Sequence, residues 1–154
     1  MGLDMYLYKK TFLWTGEYIR EEKRDEVIVT QGGKPHPTID PKKIKKIVQL
    51  VGYWRKANHI HKWFVDNVQN GQDDCRQYDV DYDQLRDLLN LCEEVLKDHS
   101  KAEQLLPTTS GFFFGGTEYN EYYFEQVQNT YDILMSIVSA PDADTDDYTY
   151  QSSW

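Results

Sequence analysis

The sequence predicts an α+β fold, a single small domain in which a short antiparallel sheet is covered by three or four helices. Two patterns and the chain length support this. LDMYLYKKTF (residues 3–12) alternates Leu3, Met5 and Leu7 with Asp4, Tyr6 and Tyr8, the period of a half-buried strand. Further on, Leu85, Leu88, Leu89, Cys92 and Leu96, and then Val127, Tyr131, Leu134 and Val138, recur at helical spacing. With 154 residues the chain suits one domain, able to bury roughly two thirds of its extended surface without metal or disulfide staples.

The elements follow in order. After the first strand and the charged linker EYIREEKRDE, EVIVT (26–30) reads as a second strand, and QGGKPHP as a loop. Asp40 before Pro41 is a helix start, pairing an N-cap acceptor with proline at the first helical position. Ile44, Ile47, Val48 and Val51 then predict a short helix over 41–51 with its lysines on the wet side; a strand through LVGYWR competes with it. Gly52 marks a kink or break. Ile60, Phe64 and Val68 form one helical stripe, stopped near Gly71. CRQYDV (75–80) reads as a strand, and Asp81 with Gln84 resembles a capping box opening the next helix. TTSGFFFGG reads as a glycine-bounded aromatic strand, with Thr117 capping a long helix to about Ser139. The domain therefore spans 1–139, and APDADTDDYTYQSSW, acidic and aperiodic, is expected to be a mobile C-terminal tail over 140–154.

Composition bounds the function. Aromatics make up 14% of the chain, with twelve Tyr, so the core must use large rings with polar tips. Cys92 sits on an apolar helix face, where a reduced thiol is the ordinary state, and this points to a reducing compartment. MGLDMYLYKK lacks a basic segment followed by an apolar run, and no window approaches 18 apolar residues. The expectation is a soluble, cytoplasmic protein with no membrane partner. The net charge of −9 conceals an asymmetry. Residues 1–70 carry 13 Lys and Arg against 8 Asp and Glu, whereas residues 71–154 carry 4 against 18. Either the halves pair internally or the first presents a basic surface to an anionic partner. An acidic excess of this size disfavours general duplex DNA binding.

Two stretches bear on function. VGYWRKANHIHKWF (51–64) gathers Trp, Arg, Lys, Asn and His with no acid among them. In a helix His59 and His61 lie about 200° apart, so they do not share a metal, and no carboxylate or Cys stands at ligand spacing. Trp63 and Phe64 read as core. Trp54, Arg55, Lys56, Asn58 and His61 can converge on a polar pocket for a planar, anionic ligand, gripped by guanidinium and stacked on indole; alternatively Arg55 and Lys56 pair with acids of the second half. In LPTTSGFFFGGTEYNEYY (106–123), a Gly115–Gly116 turn stands at a predicted helix start, where free amides hold anions, although Thr117 can equally cap its own helix and Glu118 opposes an anion. Ser110, Thr117 and Tyr119 join the ligand-binding set from this side. No P-loop, dinucleotide fingerprint or nucleophile elbow is present. No catalytic residue, metal ligand or cofactor is assigned.

MGLDMYLYKK, VGYWRKAN followed by IHKWFVDNV, and LLPTTSGFFFGGTEY followed by EYYFE together resemble a family of small, largely uncharacterised proteins encoded by bacteriophages and prophages. The similarity covers most of residues 1–138 and excludes the tail. It implies no activity. It does imply an accessory protein of the infected bacterial cytoplasm, a setting in which such proteins often act on host machinery or immune signals. The expected function is thus a non-enzymatic binder that captures a small anionic, nucleotide-like ligand or otherwise counters host defence. The alternative is a protein–protein inhibitor of a host factor acting through its charged surfaces, such as Lys42 to Lys46. A hydrolase using His61 as general base is a third reading. Tyrosine-rich surface is also compatible with a homo-oligomer.

Overall fold

The computed structural model describes residues 2–154. Its elements are β1 (Asp4–Phe12), β2 (Thr30–Gln31), β3 (Lys34–Pro35), β4 (Lys46–Arg55), α1 (Asn58–Asn67), β5 (Tyr78–Val80), α2 (Tyr82–Lys97), α3 (Ala102–Leu105), α4 (Glu121–Val138) and β6 (Asp147–Ser153). Four strands form an antiparallel sheet in the order β4-β1-β6-β5, and β2 and β3 make a separate hairpin. The α+β class is as the sequence predicts.

Alternation along β1 fixes the layers. Met5 and Leu7 point inward beside Trp54 of β4 and Tyr148 and Tyr150 of β6, all almost fully buried. Against this row pack Ile60 and Phe64 of α1, Leu85 and Leu88 of α2, and Val127 and Leu134 of α4. The Phe64 ring lies flat on Tyr150, centroids 3.9 Å apart and 4° from parallel. The other row of β1, Tyr6 and Tyr8, faces away with Tyr53 and Leu50 of β4.

Several elements differ from the sequence prediction. Residues 41–51 are not a helix. Asp40 does cap, accepting from Lys42 N at 3.0 Å, but only a single 3-10 turn follows, over Pro41–Lys43. The competing strand wins because Lys46–Arg55, rich in β-branched and aromatic residues, pairs along the whole of β1. Gly52 stands beside a β-bulge: Leu7 faces Gly52 while Tyr8 faces Leu50, which leaves Val51 extra. A Cβ at Gly52 would lie 2.8 Å from the Trp54 ring and 3.1 Å from Ile133, so glycine lets α4 close on β4.

EVIVT is mostly irregular. Only Thr30 joins a strand, the hairpin turning through Gly32 (φ 60°) and Gly33 (φ 79°), both of which need left-handed backbone. CRQYDV is a strand only over Tyr78–Val80. TTSGFFFGG is not a strand, and α4 starts at Glu121, with Asn120 rather than Thr117 as cap, its side chain accepting from Tyr123 N at 3.1 Å.

The largest correction concerns 140–154. Residues 147–153 form β6, an inner strand between β1 and β5. Tyr148, Tyr150 and Ser152 alternate inward, a period-2 signal embedded in an Asp-rich run. Asp146, just before the strand, takes Lys9 at 2.9 Å and the Thr11 hydroxyl at 3.0 Å. The domain therefore extends through β6.

Candidate functional site

Asn58, the first residue of α1, brings the two sequence stretches together. It is buried, and its amide nitrogen donates to the carbonyls of Phe114 (3.1 Å) and Gly116 (2.8 Å), while its oxygen accepts from Thr109 N (3.0 Å). One side chain thus satisfies three backbone groups of the 107–120 loop, the work a neighbouring strand would otherwise do. Gly115, at φ 86°, packs on Lys56, itself at φ 55°; a Cβ on Gly115 would lie 3.2 Å from Lys56 Cβ. Tyr119 closes the loop by accepting from Thr108 N at 3.2 Å, and the Thr108 hydroxyl donates to Thr117 O at 2.9 Å. Thr117 and Tyr119 therefore brace the loop. Ser110 is exposed.

Trp54 and His61 belong to the core and are out of reach of a ligand. Trp54 is 1% exposed, and its indole N–H donates to the Thr130 hydroxyl of α4 at 2.8 Å. His61 is fully buried. Its Nδ1 lies 2.7 Å from the Tyr150 hydroxyl, and its Nε2 lies 3.0 Å from Asp73 Oδ2, close but out of line for a good hydrogen bond. A neutral ring, accepting from Tyr150 and directing Nε2–H toward Asp73, fits both contacts. Burial holds the His61 pKa below its ordinary value, partly offset by Asp73, and pushes Tyr150 well above its own. Asp73 also accepts from Trp154 Nε1 at 3.0 Å, so the chain of contacts leads from the core to the surface. With Nδ1 bonded to Tyr150, Nε2 turned toward Asp73 and no exposed ring surface, His61 is not placed to act as a general base on a substrate.

Arg55 and Lys56 are exposed, and among the described residues neither makes an ion pair. The predicted pairing of these cations with second-half acids is absent there. Among the described residues, Lys62 is the one Lys or Arg of 41–64 with a carboxylate partner, Asp66 one helical turn on. The single Lys or Arg bridge between the two halves is Lys9–Asp146, again among the described residues. The first half therefore does present uncompensated basic surface.

Where Lys56, Asn58 and His59 meet Thr108, Gly116 and Tyr122 there is a cleft of about 50 Å³. That is room for a few waters and far below the several hundred Å³ typical of drug-sized ligands. His59 lines it, its ring tilted 34° against Tyr123 with centroids 4.1 Å apart, and burial lowers its pKa to about 3. The eight predicted residues thus form no single pocket: Asn58, Thr117 and Tyr119 stabilise a loop, Trp54 and His61 fill the core, and Arg55, Lys56 and Ser110 are exposed. Among the described residues no three His, Cys, Asp or Glu converge as a metal site, and no helix is long and apolar enough to cross a membrane.

The sequence reading overlooked two features. The segment between β1 and β4 projects from the end of the sheet as an arm, and from residue 11 to 47 not one residue is buried. Its signal was an apolar content, Trp14, Tyr18, Ile28 and Ile39, that lacks any clean periodicity. The second is the outward row of β1, whose alternation was visible in LDMYLYKK. Scans against protein-family models, curated proteins and solved structures return no match.

Proposed function

We propose that the protein is a phage-type accessory protein that acts without catalysis by binding a host protein through its 13–45 arm. One observation carries this reading: the arm buries none of its residues yet exposes Trp14 (65%), Tyr18 (90%) and Ile28 (78%). Ordering about thirty residues costs roughly 1–2 kcal/mol each in backbone entropy, and an arm without a core offsets little of that within its own chain. Exposed Trp and Tyr beside Arg20, Arg24 and Lys42 to Lys46 is the composition of an interface hot spot with a charged rim. Capture of a small nucleotide-like ligand at Trp54, Arg55 and His61 is the weaker reading, because two of those three side chains are in the core.

The test is affinity capture from bacterial cytoplasm, after light scattering has established whether the arm is occupied by a second copy of the chain. Wild type should retain a discrete partner. Trp14→Ala with Tyr18→Ala should lose it, whereas Arg55→Ala should keep it. Equal capture by the Trp14/Tyr18 variant would sink the arm assignment, and self-association through the arm would replace the host protein with a second copy.

A further inference from the structure

The outward face of β1 and β4 has a composition of its own. Tyr6 and Tyr8 follow each other along β1 with ring centroids 6.2 Å apart and planes within 13°. Tyr53 stands across from Tyr6 on β4, its ring 5.5 Å away. Along the same face Arg55 lies beyond the tyrosines at one end, and Lys10 and Lys46 at the other, with Leu50 and Val48 between and Phe12 opposite Lys46, all three exposed. Among the described residues none of these three cations is ion-paired. Asp4, the one acid on this part of the face, accepts from the Tyr53 hydroxyl at 2.6 Å. Asp147 stands across from Lys10 on β6, where Gln77 and Gln151 tie the 75–77 segment over the sheet, so the open strip is confined to β1 and β4.

From this arrangement we infer that the open face of β1 and β4 binds single-stranded nucleic acid, with bases on Tyr6, Tyr8 and Tyr53 and phosphates on Arg55, Lys10 and Lys46. A row of rings offers stacking to any base, and cations at both ends of the row favour a strand that runs along it over a lone nucleotide. Charge complementarity selects this occupant over an apolar peptide, which would leave three unpaired cations against it. A rigid duplex, whose bases are already stacked on one another, gains only the phosphate contacts from this strip. The site shares only Lys46 with the charged rim of the arm proposed to hold a host protein, and each can fail without the other.

The test is fluorescence anisotropy of labelled eight-nucleotide oligo(dT) and oligo(dA) on the full chain, with AMP and an eight-base-pair duplex as comparisons. Both oligomers should bind more tightly than AMP or the duplex. The logarithm of affinity should fall with the logarithm of salt at a slope of about −2, as expected for three phosphates on a single strand. Tyr6→Leu should weaken binding about fivefold or more while Tyr6→Phe retains it, because stacking needs a ring and a merely apolar contact does not. Tyr6 is half-buried on an outer row, so circular dichroism should report both variants folded. The inference is overturned if the oligomers do not bind at low salt, if AMP or the duplex binds as well as they do, or if Tyr6→Leu matches wild type. A partner protein that protects Tyr6 and Tyr8 from modification, with no oligonucleotide binding, would assign the face to protein instead.

Discussion

At the scale of single residues, the VGYWRKANHIHKWF stretch divides between core and surface by the geometry of its two elements. Trp54 turns inward at the end of β4 and Arg55, the next residue of the strand, turns outward. In α1, Asn58, His59 and His61 are all buried because the helix start is wrapped by the 107–120 loop on one side and by β6 on another. The polarity that suggested a ligand site therefore serves internal hydrogen bonding. Asn58→Asp tests this, since a carboxylate keeps the bond from Thr109 N but faces the Phe114 and Gly116 carbonyls without a proton to give. The variant should lose about 2–4 kcal/mol by urea unfolding, at least as much as Asn58→Ala, and the loop amides should exchange faster. An Asp variant as stable as wild type would show that Asn58 does not hold the loop.

His59 gives a pH prediction. Its folded pKa near 3 lies below the ordinary 6.5 because burial penalises the charged ring. Between those values the unfolded chain takes up a proton that the folded chain refuses. Stability is therefore complete above about pH 6.5 and declines as pH falls toward 3, by up to ~1.4 kcal/mol per pH unit. His61, lowered by burial against the pull of Asp73, contributes with the same sign. Urea midpoints at pH 7 and pH 5, above most carboxylate titration, should differ clearly in wild type and less in His59→Phe, which keeps a ring against Tyr123. Identical slopes in the two proteins would contradict the burial argument.

Among the elements, legibility followed the source of each element's hydrogen bonds. α2 and α4 carry their own ladders and showed in the sequence as apolar stripes; α2 also carries its start signal, Gln84 Oε1 accepting from Asp81 N at 2.9 Å. β4 was ambiguous because Ile44, Ile47, Val48 and Val51 satisfy helical spacing, and only pairing with β1 settles the matter. β6 is hidden in the sequence because its bonds come from β1 and β5, distant in sequence, and because three aspartates precede it and a fourth, Asp147, opens it. In the 107–120 loop, Asn58 supplies bonds that nothing in FFFGG announces. Of the site, Asn58 reaches the loop that Thr117 and Tyr119 brace, a juxtaposition the sequence leaves open, and it serves to stabilise that loop. Inward or outward facing at Trp54 and Arg55 was legible only once β4 was known to be a strand.

Two truncations separate these elements. A chain ending at Ala140 removes β6, and with it the ring under Phe64 and the partner of His61, so it should lack a cooperative unfolding transition by circular dichroism. A folded, cooperative product would restore the tail reading. Conversely, Phe12 faces Lys46 and Leu13 N donates to Lys45 O at 2.9 Å, so residues 14–44 can be replaced by an Asn-Gly turn. That chain should keep its unfolding free energy within about 1 kcal/mol of wild type, because none of the excised residues is more than partly buried. A large loss would mean the arm is part of the domain's own stability.

Over the whole molecule, charge and apolar exposure are both segregated. Acids gather where Asp79, Asp81, Asp144, Asp146 and Asp147 line one open groove, whereas unpaired cations lie on β4 and at the base of the arm. Among the described residues, eight of the twelve large exposed apolar side chains fall between Phe12 and Tyr53, so the same end of the chain carries both the basic and the apolar surface. Such a molecule would be steered by its field and held by its arm. The most direct measurement is photo-crosslinking in bacterial cytoplasm with a benzophenone residue at Tyr18, and at Met135 on the far helix as comparison. The account predicts one discrete protein adduct from Tyr18, none from Met135, and loss of the Tyr18 adduct when Trp14 is changed to Ala. Adducts that are absent from Tyr18, or that appear equally from both positions, would contradict it.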